Sequence, residues 1–297
     1  MFTRKTSLII PTKNRSDQII LLLNKLILLN LKFNEIIVID SSNIIHSKKI
    51  KSVCKNKNFY YYRTKASTAY QRNFGLGKIK NSTFIMFMDD DVILLDDTFL
   101  KMEQCIKKYG HIDSIGGFGF NQVGDIKYSF LENLKKSKLI KNLNIYPTEP
   151  GKIAKSGWHS KIINLKNDTI GDWVFTTMCI YKSTDIRDLK FDETFGQYSY
   201  LEDLDFSLNL MKSNKKIFLS SKSKFKHPIN IDRSSFKFGV AEVVNRYKII
   251  KKHKLSIKLF YIASSLRFLM SLLKSILLNK NYFLRSLGNI YGFFLIK

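Results

Sequence analysis

The run Thr83–Phe99 (TFIMFMDDDVILLDDTF) limits what this chain can fold into more than any other stretch. Its apolar residues Phe84, Ile85, Met86, Phe87 and Met88 stop at three consecutive carboxylates, Asp89, Asp90 and Asp91. A continuous, non-alternating apolar run of this length fits a strand covered on both faces. Three acids at the end of such a strand repel one another. A divalent cation, Mg²⁺ or Mn²⁺, bound by hard oxygen ligands is the expected offset. The plainer alternative is a strand-to-helix turn in which Asp96 or Asp97 caps the helix carrying Leu100 and Met102. That alternative accounts for the later pair of acids and leaves the triple unexplained.

The residues before this run repeat one theme. Ser7–Ile10 reads as a short buried strand ended by Pro11-Thr12, followed by a helix capped by Asn14 or Ser16 and running to about Asn30. Glu35–Ile39 is a second strand finishing at Asp40, Ser47–Lys55 a weaker helix, and Phe59–Tyr62 a third strand. A helix over Thr68–Ile79 carries Arg72, Gly75 and Gly77. This alternation predicts an open parallel sheet with helices on both faces. Ligands of such sheets bind beyond the carboxyl ends of the strands, where Pro11-Thr12, Asp40 and Asp89–Asp91 all fall. No GxGxxG follows the first strand and no GxxxxGK[ST] occurs, which argues against a classical dinucleotide site or P-loop.

The second half is less regular. Ser114–Phe120 (SIGGFGF) and Trp173–Tyr181 (WVFTTMCIY) read as strands, and the polar, basic residues Asn121–Lys166 as a long loop or insertion able to cover a site. Over Tyr200–Ser213, Leu201, Leu204, Leu208 and Met211 keep helical spacing, so Glu202 and Asp203 open an amphipathic helix and point off its buried stripe. The simpler account of these two is first-turn acids favoured by the helix dipole. Lys216–Leu219 is a short strand, with His227 just beyond it. The three cysteines are far apart with no CxxC pair, so neither a disulfide framework nor a thiolate zinc site is indicated, and a reducing compartment is expected.

Fifty basic residues against 24 acidic ones give a formal net charge of +26, which attracts nucleic acid, anionic lipid and phosphorylated ligands without distinction. After Glu242 the chain has no further acidic residue, and its lysines and arginines alternate with Leu255, Leu259, Ile262, Leu266, Leu269 and Leu273. Basic helices with an apolar stripe lie on anionic lipid; a helical cap on the domain or a dimer contact is the competing reading. No charge-free apolar stretch of about 18 residues occurs, so a conventional transmembrane helix is not expected.

Five stretches, taken together and in order, resemble the family 2 glycosyltransferases of GT-A fold. They are Ser7–Arg15 (SLIIPTKNR), Glu35–Ser42 (EIIVIDSS), Gln71–Gly75 (QRNFG), Phe87–Asp91 (FMDDD) and Leu201–Asp205 (LEDLD). The resemblance covers about residues 6–230. It implies inverting transfer of a sugar from a nucleoside diphosphate donor to a hydroxyl of a glycan or lipid-linked glycan, with Mn²⁺ or Mg²⁺ as cofactor. Pro11, Thr12 and Asp40 would line the base and ribose pocket, with Arg72 on its wall and Asp90 against ribose or donor sugar. Asp91, helped by Asp89, would hold the metal, with His227 completing the site. Glu202-Asp203 matches the motif that supplies the catalytic base, a role carried onto Asp203. Two positions depart from the pattern: Ser41 stands where many members have a second acid, and Lys13 where an aromatic is common.

The expected architecture is therefore an α/β, GT-A-like fold with a mostly parallel central sheet flanked by helices. Residues 1–232 would form the transferase domain (1–120 the nucleotide half, 121–232 the acceptor half), and 233–297 a basic amphipathic helical tail. The expected location is cytoplasmic, peripheral on the inner face of the cell membrane, with no specific nucleic-acid partner. A metal-dependent nucleotidyltransferase and a basic nucleic-acid-binding protein are the alternatives. The first lacks the glycine-rich phosphate loop it needs, and the second has only Tyr60-Tyr61-Tyr62-Arg63 as an aromatic-basic cluster.

Overall fold

Strand β1 (Thr6–Thr12) is buried along its whole length and lies between β2 (Glu35–Asp40) and β4 (Phe84–Met88), parallel to both. The computed structural model describes residues 1–124, 144–196, 199–228, 233–277 and 279–296. β3 (Tyr60–Arg63) adds in parallel beyond β2. Helices α1 (Ser16–Leu28), α2 (Ile44–Asn56) and α3 (Thr68–Leu76) form the crossovers. On α1 the apolar spacing Ile19, Leu22, Leu23, Leu26 is the buried face. On α3, Gly75 lies so close to β1 that a Cβ there would sit 2.7 Å from Ile9 Cγ2. The order β3-β2-β1-β4 changes direction at β1, so a crevice opens at the carboxyl ends of β1 and β4.

Beyond β4 the sheet becomes mixed. β8 (Met178–Lys182) pairs antiparallel with β4 and with β6 (Ile115–Gln122), and β9 (Lys216–Lys226) runs parallel to β6. The short strands β5 (Ile93–Leu94) and β7 (Thr169–Gly171) both pair antiparallel with β9. The parallel order expected from the sequence thus describes the first four strands. Helix α4 (Thr98–Tyr109) follows the aspartates, and α5 (Glu202–Lys212) precedes β9.

Several local expectations are corrected. Trp173–Tyr181 is not one strand: its first half is buried loop, and pairing starts at Met178, opposite Met88, the last residue of β4. Neither Asn14 nor Ser16 caps α1, whose N-cap is Arg15; Asn14 Oδ1 instead accepts from the Asn43 amide. Asp96 and Asp97 cap nothing by side chain, Asp96 being paired with Lys25 at 2.7 Å. β9 is much longer than the Lys216–Leu219 expected.

Contacts divide the chain into two compact units, Met1–Gly124 with Ile162–Pro228, and Asp125–Lys161 with Ile229–Lys297. This differs from a contiguous division into 1–232 and 233–297, because part of the presumed covering loop groups with the C-terminal helices. Residues 125–143 of that loop and 229–232, where the boundary was expected, lie outside the described residues.

The second unit contains α6 (Phe236–Lys252), α7 (Ile257–Leu277) and α8 (Tyr282–Leu295). α6 starts at Ser235, whose side chain accepts from the Phe238 amide. α6 and α8 meet through glycines: a Cβ on Gly239 would sit 2.2 Å from the Arg285 carbonyl, and one on Gly288 2.2 Å from that of Phe236. Glu242, buried, pairs with Arg285 at 2.6 Å and with Arg267 at 3.3 Å. The guanidinium of Arg246 lies 3.9 Å from the centre of the Trp158 ring. By length and composition alone α7 is able to cross a membrane, with a mean hydropathy of 1.4 over its best window, of which 33% is buried. Lys258, Arg267 and Lys274 interrupt it, so it is not a charge-free stretch.

Candidate active site

The crevice between β1 and β4 gathers most of the sequence-predicted residues within the first unit. Thr12, the last residue of β1, donates its hydroxyl to Asp90 Oδ2 at 2.7 Å. Arg15, at the N-cap of α1, reaches Asp90 Oδ1 at 3.0 Å and Asp91 Oδ2 at 2.7 Å through one nitrogen. Arg72 of α3 donates to Asp89 Oδ1 at 2.9 Å and, with its other terminal nitrogen, to Glu202 at the start of α5. The charge offset required by the aspartate triple thus comes in part from two arginines.

The three acids have different environments. Burial pushes the Asp90 carboxyl up to about 6, against the opposing effects of the Thr12 hydrogen bond and Arg15. Burial acts in the same direction on Asp91, but contact with His227 and the charge of Arg15 outweigh it and hold this carboxyl below its usual range. For His227, burial is outweighed by Asp91, and its imidazole is raised. Asp89 is half-buried.

Asp89, Asp91 and His227, from the end of β4 and the end of β9, each bring one ligand atom to within 4.8 Å of the others. His227 Nε2 lies 2.9 Å from Asp91 Oδ1, yet that buried oxygen accepts no aligned hydrogen bond. Two carboxylates and an imidazole suit Mn²⁺ or Mg²⁺ by donor type, imidazole favouring the former. The residues fit such an ion.

Asp40 ends β2 fully buried, and its own surroundings satisfy it. It accepts from the Ser42 amide at 2.8 Å, the Ser47 hydroxyl at 2.6 Å and the Tyr61 hydroxyl at 2.7 Å. Burial together with this bond pushes Tyr61 up to about 12. In this geometry Asp40 fixes the turn Ser41–Asn43. Pro11 is buried inside β1, opposite Ile39 and past the last β1–β4 pair at Ile9, where its missing N–H is not needed.

Glu202 corrects an expectation: it does not point off the buried face of its helix. It is 4% exposed and held by Arg72, which is 3% exposed, while Asp203 beside it is half-buried. Leu201, the N-cap, takes a left-handed conformation (φ 75°), a strain of about 1–2 kcal/mol for a residue with a Cβ. The preceding loop is fastened to α3, since the Ser199 hydroxyl accepts from the Ala69 amide at 3.3 Å.

Sequence reasoning missed Arg15 and Gln71. Gln71 ties the ends of β1 and β2 together by donating to the carbonyls of Thr12 and Ile39 at 3.0 and 2.8 Å. The available signal was position: Arg15 lies three residues beyond Thr12, facing the acids, and Gln71 adjoins Arg72.

In fold the chain is similar to the S. aureus protein TarS, residues 1–349 (17% identity, 94% of this chain and 74% of that one, TM-score 0.53). It is also similar to the mannosyltransferase PcManGT from Pyrobaculum calidifontis (10%, 99% and 88%, 0.58) and to GalNAc-T7 (14%, 86% and 55%, 0.55). A search of curated proteins finds no match. The sequence profile of Glycosyl transferase family 2 matches residues 7–164, more than half of the 297-residue chain and the part that contains β1, Asp40, Arg72 and the three aspartates; the chain belongs to glycosyl transferase family 2.

Proposed function

We propose that the chain transfers a sugar from a nucleoside diphosphate donor to a hydroxyl of a glycan or lipid-linked glycan, with inversion at the anomeric carbon. The observation that carries this reading is the convergence in one crevice of a Thr12–Asp90 pair and the Asp89, Asp91, His227 cluster, whose ligand atoms lie within 4.8 Å of one another. Asp89, Asp91 and His227 would hold Mn²⁺ or Mg²⁺. When bound, the ion neutralises the charge that develops on the diphosphate leaving group. PcManGT is described with GDP-Man and Mn²⁺, and GalNAc-T7 with UDP, GalNAc and Mn²⁺, which supports this donor class.

Thr12 orients Asp90 toward a ribose or sugar hydroxyl, and the turn fixed by Asp40 borders the base. A sugar hydroxyl is a weak nucleophile and needs a base within hydrogen-bond reach. Asp203 is the reading for that base, by its place in the LEDLD stretch that resembles the family's base-bearing motif; it is half-buried, and its Oδ1 accepts from the Leu204 amide at 2.8 Å. The acceptor oxygen bonds to the anomeric carbon as the bond to the diphosphate oxygen breaks, and the acceptor proton goes to Asp203.

The test is a thermal-shift panel of UDP, GDP, dTDP and CMP, each with and without Mn²⁺, on the wild type and on Asp91→Ala. One nucleotide is expected to raise the melting temperature only with Mn²⁺, and the shift to vanish in Asp91→Ala. Asp203→Asn is expected to keep that shift and to lose transfer. No shift with any nucleotide would overturn the reading.

A further inference from the structure

Among the described residues, exposed large apolar side chains concentrate in one place: seven lie on α7 and seven on α8. On α7, Leu269, Leu273 and Leu277 recur every four residues and are 49%, 43% and 66% exposed. On α8, Leu287, Ile290 and Phe294 recur at spacings of three and four and are 40%, 39% and 67% exposed. The two helices are neighbours, Tyr261 of α7 stacking on Phe293 of α8 with ring centres 6.0 Å apart. A soluble surface rarely carries so many exposed large apolar side chains on two neighbouring helices without something to cover them.

Charge selects the occupant. Residues 233–297 contain thirteen lysines and arginines and one acid, Glu242. That acid is buried and paired with Arg285 and Arg267, so this stretch shows no acidic side chain to solvent. A second copy would bring like charge against like. An anionic bilayer attracts the same surface, by about 1 kcal/mol for each basic residue near it. Lys254 and Lys258 stand exposed at the start of α7, and Lys280 in the turn before α8.

Arg267 decides between spanning and lying flat. It sits midway along α7 and pairs with buried Glu242 of α6, so taking α7 through hydrocarbon would carry that ion pair with it. We propose that the exposed apolar face of α7 and α8 docks in the interfacial plane of an anionic lipid bilayer. The leucines and Phe294 enter the boundary between headgroups and acyl chains, and the lysines lie among the phosphates. This docking is independent of the transfer reaction.

The experiment is co-sedimentation of the full chain with vesicles of phosphatidylcholine alone and of phosphatidylcholine with 30% phosphatidylglycerol, at about 0.1 M and 0.5 M NaCl. Binding is expected on the anionic vesicles only and to weaken at high salt. Leu273→Glu/Phe294→Glu, at exposed positions, is expected to weaken it by more than about tenfold with an unchanged melting temperature. Lys254→Glu/Lys258→Glu/Lys280→Glu tests the charge without touching the apolar face and is expected to abolish the preference for anionic lipid. Two results would overturn the proposal: no binding to either vesicle, or a wild-type dimer in light scattering that Leu273→Glu/Phe294→Glu converts to monomer.

Discussion

Glu202 and Asp203 are adjacent in sequence and differ in what their surroundings leave them to do. Glu202 is locked to Arg72, which also holds Asp89, so one buried guanidinium joins the acidic cluster to the first turn of α5. Removing it strands a buried carboxylate: Arg72→Ala is expected to cost about 3–5 kcal/mol, read as a fall in melting temperature. Arg72→Met/Glu202→Gln is expected to cost less than the sum of its single changes. The cysteines give a second prediction. Burial pushes Cys54, Cys105 and Cys179 up to about 12, so at pH 8 none is a thiolate to any useful extent. A thiol-reactive dye is expected to label none in the folded protein and all three in denaturant. At this scale the acids and Thr12 were legible because strand ends and carboxylate runs are visible in sequence. The roles of Glu202 and Asp40 were not, since each depends on a partner from a distant element, Arg72 for one and Tyr61 for the other.

At the scale of elements, the α6–α8 contact depends on backbones approaching where glycine leaves room. Gly288→Ala would meet the Phe236 carbonyl and is expected to destabilise by about 1–3 kcal/mol, while Gly77→Ala, whose Cβ would sit 3.5 Å from the Phe74 carbonyl in ordinary contact, stays within about 1 kcal/mol. The same helix pair holds Glu242. Burial alone would raise its carboxyl, but Arg285 first, then Arg267 and Arg246, hold it well below the usual carboxylate range. A depressed folded-state pKa stabilises above the unfolded value of about 4.3, and this contribution is lost as pH falls below it. Glu242→Gln is therefore expected to melt lower than wild type at pH 7, with the gap starting to narrow only once pH falls below about 4 and persisting in part at pH 3. The buried strands β1, β2 and β4 were legible as unbroken apolar runs. Trp173–Thr177 looks the same in sequence and is loop and turn: the ladder with β4 stops at Met88–Met178, and one further bond, from the Asp89 amide to the Thr177 carbonyl at 2.9 Å, closes it.

For the whole molecule, alternation of strands and helices foretold the parallel half of the sheet, in which β1, β2 and β3 are neighbours both in sequence and in space and β4 crosses back to pair with β1. The other half was not legible: β9 arrives about 100 residues after β6 and pairs with β5, β6 and β7, a long-range arrangement that no local pattern encodes. A chain stopped after Lys215 would leave those three strands without this partner and is expected to be insoluble, judged by its partition on lysis. The position of β9 also affects how the protein is made. At about 5–20 residues per second, roughly 5–20 s of synthesis separate the end of β6 from the end of β9. Throughout that interval the ribosome carries a sheet with an open apolar border. The lag makes this chain a natural client for chaperones that bind nascent polypeptides.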